Sequence, residues 1–158
     1  MRKTASYSPL KGLFLAALFA ASSLALAQSD TNGDIYGKWK ITSMIGGGAA
    51  SALTQRDVDK LIGKYVIITP EKFAFDGQLC RTLNYQRRKE ETVHFFDWAW
   101  RTDVSDIPFP NPVTVIETGC NTLVPIRENH LMIAQENVFL EAVRLKGSPR
   151  KAARPTQR

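Results

Sequence analysis

Cysteine and histidine, two residue types that commonly take part in catalysis or bind metals, are scarce in this sequence. Its 158 residues include two cysteines and two histidines. His94 and His130 lie far apart, and no Cys-x-x-Cys or His-x-x-x-His spacing accompanies them, so we expect no zinc site. A Gly-x-Ser-x-Gly elbow, a His-Glu-x-x-His helix and a phosphate-binding loop are also absent from the sequence. These absences predict a protein that is not an enzyme and that needs no cofactor.

Long hydrophobic runs are missing too, with one exception near the start. Residues 12–27 are uncharged and mostly apolar, three basic residues precede them, and the run ends in Ala-Leu-Ala. This arrangement is typical of a secretory signal peptide cleaved after Ala27. The run is shorter than the roughly 20 residues that a membrane-spanning helix needs, so an uncleaved anchor is the less favoured alternative. We therefore expect residues 1–27 to be removed and the mature protein to be periplasmic, without a membrane span.

Basic residues exceed acidic ones, 21 against 15, for a formal net charge of +6. The excess lies at the two ends, because residues 28–145 contain more acidic than basic side chains. Nucleic-acid binding would need a basic face on the domain itself, so no nucleic-acid partner is expected. Residues 146–158 are basic, are interrupted by Gly and Pro and lack apolar periodicity. They predict a disordered tail that could contact anionic polymers or lipid headgroups of the cell envelope.

The two cysteines are Cys80 and Cys120. In an oxidising compartment such a pair usually forms a disulfide, and we expect one here. Closing a loop of about 40 residues should stabilise the fold by roughly 4 kcal/mol at most.

Alternation of apolar and polar residues predicts β-structure over most of residues 28–145. The first strand is expected over 35–45, then a mobile Gly-rich loop over 46–51 and a short helix over 54–62 that Thr54 caps. Further strands are expected at 65–69, 72–76, 92–101, 113–118, 131–135 and 138–145, with weaker extended segments at 80–85 and 121–126.

Two other segments are interpreted as lying outside the strands. The charged run 86–91 is expected to form an exposed hairpin tip, and the Pro-rich stretch 107–112 a loop, because proline has no N–H to donate to a sheet. Many short strands with one small helix after the first strand predict an all-β fold, a small antiparallel barrel.

Gly37-Lys38-Trp39 on the first predicted strand resembles the Gly-x-Trp signature of lipocalins and related calycin barrels. The resemblance implies a lipocalin-like barrel in which Arg144, near the end of the last strand, lies over the ring of Trp39. Such a contact would be a cation–π interaction at the base of the barrel. A plain core aromatic is the alternative for Trp39, and a helix directly after the first strand departs from the lipocalin pattern.

Four further segments look like those of small exported proteobacterial proteins. They are residues 61–64, 75–77 before Cys80, 117–120, and 134–139 leading to Val143-Arg144. This resemblance implies a relation to periplasmic inhibitors of peptidoglycan hydrolases such as lysozyme.

The aromatic residues of segment 92–101 form the first candidate site. On a strand, Phe96, Trp98 and Trp100 would project to the same side. If that side faced a barrel cavity, the three rings would bind a small apolar ligand. Core packing and a partner-binding surface are the alternatives.

Arg87, Arg88 and Phe109 form the second candidate site. Arginines at a hairpin tip could donate bidentate hydrogen bonds to the paired carboxylates of a glycosidase, and Phe109 between prolines could enter its groove. A solvated charge run and a residue that caps the barrel are the alternatives.

Export, a disulfide-stapled barrel and absent catalytic motifs lead to one preferred hypothesis, a non-enzymatic periplasmic inhibitor of a peptidoglycan-cleaving glycosidase. A carrier of a small apolar ligand is the second hypothesis. An envelope-maintenance factor that binds through its basic tail is the third.

Overall fold

The structure is a computed structural model that describes residues 31–81 and 83–147. The predicted signal peptide and nearly all of the predicted basic tail lie outside these residues. Nine strands and two helices follow one another along the described chain: β1 (Gly37–Gly47), α1 (Gln55–Leu61), β2 (Tyr65–Ile68), β3 (Phe73–Phe75), β4 (Gln78–Cys80), β5 (Gln86–Glu90), α2 (Thr92–Trp100), β6 (Val113–Glu117), β7 (Thr122–Arg127), β8 (His130–Gln135) and β9 (Val138–Arg144). Neither of these helices is long and apolar enough to cross a membrane.

The strands form one antiparallel sheet in the order β4-β3-β2-β1-β9-β8-β7-β6-β5. Consecutive strands β4 and β5 therefore lie at opposite edges, yet only residues 81–85 connect them. A flat sheet of nine strands would be about 38 Å wide, whereas this connection can span only about 20 Å. The sheet must curl to bring its edges together, and it forms a half-barrel. The prediction of an all-β, barrel-like fold is confirmed.

The two faces of the curled sheet carry separate hydrophobic cores. The inner core unites residues from both ends of the sheet with α1, so it fills the concave side; its largest members include Trp39, Ile41, Phe73, Phe75, Leu131 and Leu140. The outer core lies on the convex side of β6–β9, under α2, and comprises Phe95, Phe96, Val104, Val113, Val115, Val124, Ile126, Met132 and Phe139. Neighbouring residues on one strand go to opposite cores, as Val115 and Ile116 do.

Trp39 and Arg144 are paired across β1 and β9. The guanidinium of Arg144 lies 4.2 Å from the centre of the Trp39 ring, the contact that the lipocalin resemblance implies. Arg144 also donates to the backbone oxygens of Tyr36 and Asp34, and the Trp39 indole donates to the oxygen of Ile35 at 2.9 Å. This cluster ties the segment before β1 to β9.

The predicted disulfide between Cys80 and Cys120 is present. It joins edge strand β4 to the turn between β6 and β7. A bond across the opening of the half-barrel holds the two ends of the sheet together where no backbone ladder does.

The short predicted helix and its cap are present as α1. Thr54 accepts a hydrogen bond from the backbone of Asp57, and the Asp57 carboxylate accepts one from the backbone of Thr54, which completes a capping box. Val58 and Leu61 pack into the inner core, whereas Ile62, the last residue of the predicted helix, is 38% exposed. The prediction that 107–112 forms a loop outside the ladders is also confirmed.

The prediction of a strand over 92–101 is wrong, because these residues form α2. The Glu91 carboxylate caps the helix by accepting hydrogen bonds from the backbones of Val93 and His94. The buried face of this helix consists of Thr92, Phe95 and Phe96, which are three and four residues apart as helical geometry requires. The aromatic residues of this segment recur at the two-residue spacing of a strand and also at the three- to four-residue spacing of a helix, so the sequence fits either. Packing against the outer core favours the helix.

The prediction of an exposed tip at 86–91 is also wrong. Residues Gln86–Glu90 form strand β5, which pairs with β6 over five residues. Charged side chains on this edge strand are held by ion pairs, which lets a polar sequence adopt β-structure.

The prediction of a mobile loop at 46–51 fails for its first residues. Gly46 and Gly47 belong to β1 and pair with β9. A side chain at Gly46 would meet Phe139 at 3.2 Å, and one at Gly48 would meet the backbone of Trp100 at 3.0 Å. Gly46 therefore allows the end of β1 to lie close to Phe139 of β9, and Gly48 allows the residue after β1 to approach the end of α2.

Candidate functional site

Three adjoining depressions form a groove beside α2 on the convex side of the sheet. Their volumes are about 390, 280 and 480 Å³. The first and second share Arg88, Phe95 and Trp98, and the second and third share Trp100, Glu117 and Thr122. We call this surface the α2 groove; its remaining lining residues are Glu90, His94, Ala99, Gly119, Cys120, Asn121, Ala134, Glu136 and Asn137.

Trp98 is the most exposed large hydrophobic residue in the described chain, with 73% of its surface accessible. Its position on α2 explains the exposure. Phe95 and Phe96 turn toward the outer core, so Trp98 and His94, four residues apart, share the outward face. A rigid helix thus presents an uncovered indole at the edge of the groove.

Arg88 lies in the groove between two carboxylates. Its Nε donates to Glu90 at 2.8 Å and one terminal nitrogen donates to Glu117 at 3.4 Å. The other oxygen of Glu117 accepts from the Thr122 hydroxyl at 2.8 Å. The Arg88 guanidinium also lies 5.8 Å from the centre of the Phe95 ring. Arg88 is therefore part of the groove wall and does not project from a tip.

Arg87 points away from the groove. Its guanidinium forms a bidentate ion pair with Asp34, with both distances 2.6 Å, and donates to the Thr31 oxygen at 2.9 Å. The hydrogen bonds that Arg87 donates to the Asp34 carboxylate raise the pKa of Arg87. This arginine fastens the segment before β1 to edge strand β5, so Arg87 and Arg88 do not share one surface. Their role as donors to a partner stays a prediction.

The aromatic candidates do not face a common cavity. Phe96 is fully buried, and Trp100 packs edge-on against Phe139 with ring centres 5.0 Å apart. Phe109 stacks on Phe96 at 4.7 Å and so supports α2 from the Pro-rich loop. Of this set, Trp98 and part of Trp100 line the groove, and all of them lie outside the half-barrel.

The concave side is filled by the buried side chains of the inner core. The arrangement that would make Phe96, Trp98 and Trp100 a ligand cup inside the barrel is therefore contradicted.

The two histidines occupy unrelated positions. His94 lies on α2, while His130 begins β8 with its Nδ1 2.8 Å from a carboxylate oxygen of Glu141. Burial raises the pKa of Glu141, but hydrogen bonds from His130 and Ser43 and the charge of Arg127 outweigh it and leave that pKa below its ordinary value. Within residues 31–81 and 83–147, no group of three His, Cys, Asp or Glu side chains could hold a metal ion.

Sequence reasoning identifies Arg88, Trp98 and Trp100 but misses Glu90 and Glu117 as their neighbours. The predicted hairpin tip at 86–91 and the predicted strand at 92–101 would hold these residues apart. Glu91 before a hydrophobic run was the one available signal of a helix start.

Searches with this chain against protein-family models, curated proteins and solved structures find no match.

Proposed function

We propose that the protein is an exported, non-enzymatic binding protein that inhibits a peptidoglycan-cleaving glycosidase, and that α2 and its groove form the docking surface. The observation that carries the proposal is the 73% exposure of Trp98 on a helix anchored in the outer core. Tryptophan and arginine are the residues most enriched among binding hot spots, and Trp98 lies beside Arg88.

The anchoring of α2 supports this use of the surface. Phe95, Phe96 and Trp100 pack against one another and against the sheet, with ring centres 5.3–5.4 Å apart. A side chain presented from such a packed helix loses little conformational freedom on binding. The predicted signal peptide and the predicted relation to lysozyme inhibitors supply the compartment and the class of partner.

Turbidimetric lysis of bacterial cell walls by a lysozyme or muramidase, with and without the purified protein, tests the proposal. We expect micromolar protein to slow lysis, and unchanged lysis rates with both enzymes would reject it. Replacing Trp98 by alanine should weaken inhibition by about 30-fold, the effect of a typical hot spot.

Tyr65→Ala is the matched control. Tyr65 is an exposed aromatic, 48% accessible, on the first half of the sheet and away from α2. This variant should inhibit like the wild type, and equal losses for both variants would place the docking surface elsewhere.

A further inference from the structure

Aromatic rings of this chain are repeatedly covered by cations. Lys38 lies 4.0 Å from the centre of the Tyr65 ring, and Arg144 lies 4.2 Å from that of Trp39. Arg88 lies over Phe95 at the longer distance of 5.8 Å. Trp98, the most exposed of the large rings, has no cation over it from any residue that the structure describes.

Two hydrogen-bonding groups near Trp98 are engaged within the chain. Arg88 donates to Glu90 and Glu117, and the Thr122 hydroxyl donates to Glu117. The two carboxylates have side chains 36% and 35% exposed, so their remaining lone pairs are open to the groove. One guanidinium thus balances two carboxylates, and this part of the groove carries excess negative charge.

The end of the groove lined by Asn121, Glu136 and Asn137 also has an exposed carboxylate and amide groups that donate within the chain. The Asn121 amide nitrogen donates to the Ala134 oxygen and to the Gln135 side chain, both at 3.0 Å. The Asn137 amide donates to the oxygen of Ala50 at 2.6 Å, and Glu136 adds an exposed carboxylate. The lining of the groove therefore holds three carboxylates, those of Glu90, Glu117 and Glu136, against the single guanidinium of Arg88.

We propose that Trp98, Glu90 and Glu117 bind an arginine side chain that the partner inserts into the α2 groove. This inference rests on the proposed function, because it names the chemistry by which the partner is recognised. A guanidinium has five donors and no acceptor, pairs with carboxylates in a fork and stacks on a tryptophan face. A glycan would satisfy the site less well, since its hydroxyls are neutral and bring no positive charge to the excess carboxylate.

The test is a titration of the purified protein, labelled with ¹⁵N, with the peptide acetyl-Gly-Arg-Gly-Arg-Gly-amide at low salt. The chain has three tryptophans, so three indole N–H signals report the binding. The Trp98 signal should move, while that of Trp39, whose indole is bonded inside the core, should stay. A peptide with citrulline in place of arginine, equal in shape but neutral, should bind at least about tenfold more weakly.

Variants assign the binding to these side chains. Trp98→Ala and the double change Glu90→Gln and Glu117→Gln should each weaken arginine-peptide binding by about tenfold. Glu71→Gln, an exposed carboxylate between β2 and β3, should leave it unchanged. Circular dichroism of each variant establishes that it is folded, and Trp98→Ala serves if the double variant is not.

Three outcomes would overturn the inference. They are equal binding of the arginine and citrulline peptides, an unmoved Trp98 signal, and movement of that signal by chitotetraose but not by the arginine peptide. Failure of the proposed function is distinguishable, because it appears in the lysis assay. Inhibition of lysis without arginine-peptide binding would remove only this inference, whereas peptide binding without inhibition would keep the site and remove the glycosidase as its partner.

Discussion

The two halves of the sheet differ in how many faces they bury. In the first half, β1–β4, a strand such as β2 alternates strictly between exposed and buried residues, because only its concave face is covered. In the second half, β6–β9, consecutive residues such as Leu131, Met132 and Ile133 are all fully buried, since α2 and the Pro-rich loop cover the convex face as well. The second half supports the candidate site, because its convex face packs against α2 and so holds this helix in place.

The largest expected effect is a loss of stability when a phenylalanine is removed from either core, and a second measurement distinguishes the outer core from the inner one. Phe139→Ala in the outer core and Phe73→Ala in the inner core should each cost roughly 3–5 kcal/mol, because both side chains are fully buried. Phe139 contacts Phe96 and Trp100, so its loss should also shift the Trp98 indole signal, whereas Phe73→Ala should not. Denaturant unfolding and NMR measure the two quantities, and an equal shift in both variants would show that the layers are not independent.

The disulfide tests how strongly the halves depend on each other. Replacing Cys80 and Cys120 together by serine should lower the free energy of unfolding by about 4 kcal/mol at most, because the unfolded chain regains the entropy of an open loop. Urea unfolding measures the loss, and reduction of the wild type should reproduce it. A negligible loss would mean that the ladder between β1 and β9 alone fixes the two halves.

A smaller effect is expected at the contact between Trp39 and Arg144. Arg144→Met should cost about 2 kcal/mol, since it removes the cation over the ring and the hydrogen bonds to the oxygens of Tyr36 and Asp34. Thermal unfolding measures it, with the exposed Arg56→Met on α1 as the control. Equal stability of the two variants would show that the cluster adds nothing to the first half.

The smallest effect is expected at α1. Thr54→Ala removes the cap of a short exposed helix and should cost about 1 kcal/mol. Hydrogen bonding from Thr54, followed by that from Lys60, lowers the pKa of Asp57 from 3.8 to about 2. The stabilisation by ionised Asp57 is therefore complete above pH 3.8 and is lost as the pH falls toward 2. Stability curves from pH 5 to 2 should be flatter for Thr54→Ala, and parallel curves would contradict this assignment.

Much of the fold could be predicted from the sequence, because many of its strands bury only one face. Strands with one covered face show the alternation that predicts them, and the capping box of α1 needs only its own residues. The disulfide followed from having two cysteines in a chain expected to be exported. These features are local or involve few candidates.

The site was predicted less completely because it depends on packing between distant segments. The sequence of α2 fits a strand or a helix, and only the outer core on β6–β9 decides. The charged sequence of β5 by itself predicts a turn. It forms a strand because Arg88 makes ion pairs with Glu90 on β5 and with Glu117 on β6. Trp98 and Arg88 were recognised by their residue types, while their carboxylate neighbours required the tertiary structure.

The place of β9 in the sheet has a consequence for how the chain folds. The last described strand pairs with the first at the middle of the sheet, and all other strands extend outward from these two. The central ladder cannot form until synthesis has passed Arg144, so a chain that stops before β9 would leave two incomplete sheets with open edges. Such fragments are prone to aggregate, and the integrity of the described sheet thus depends on completing β9.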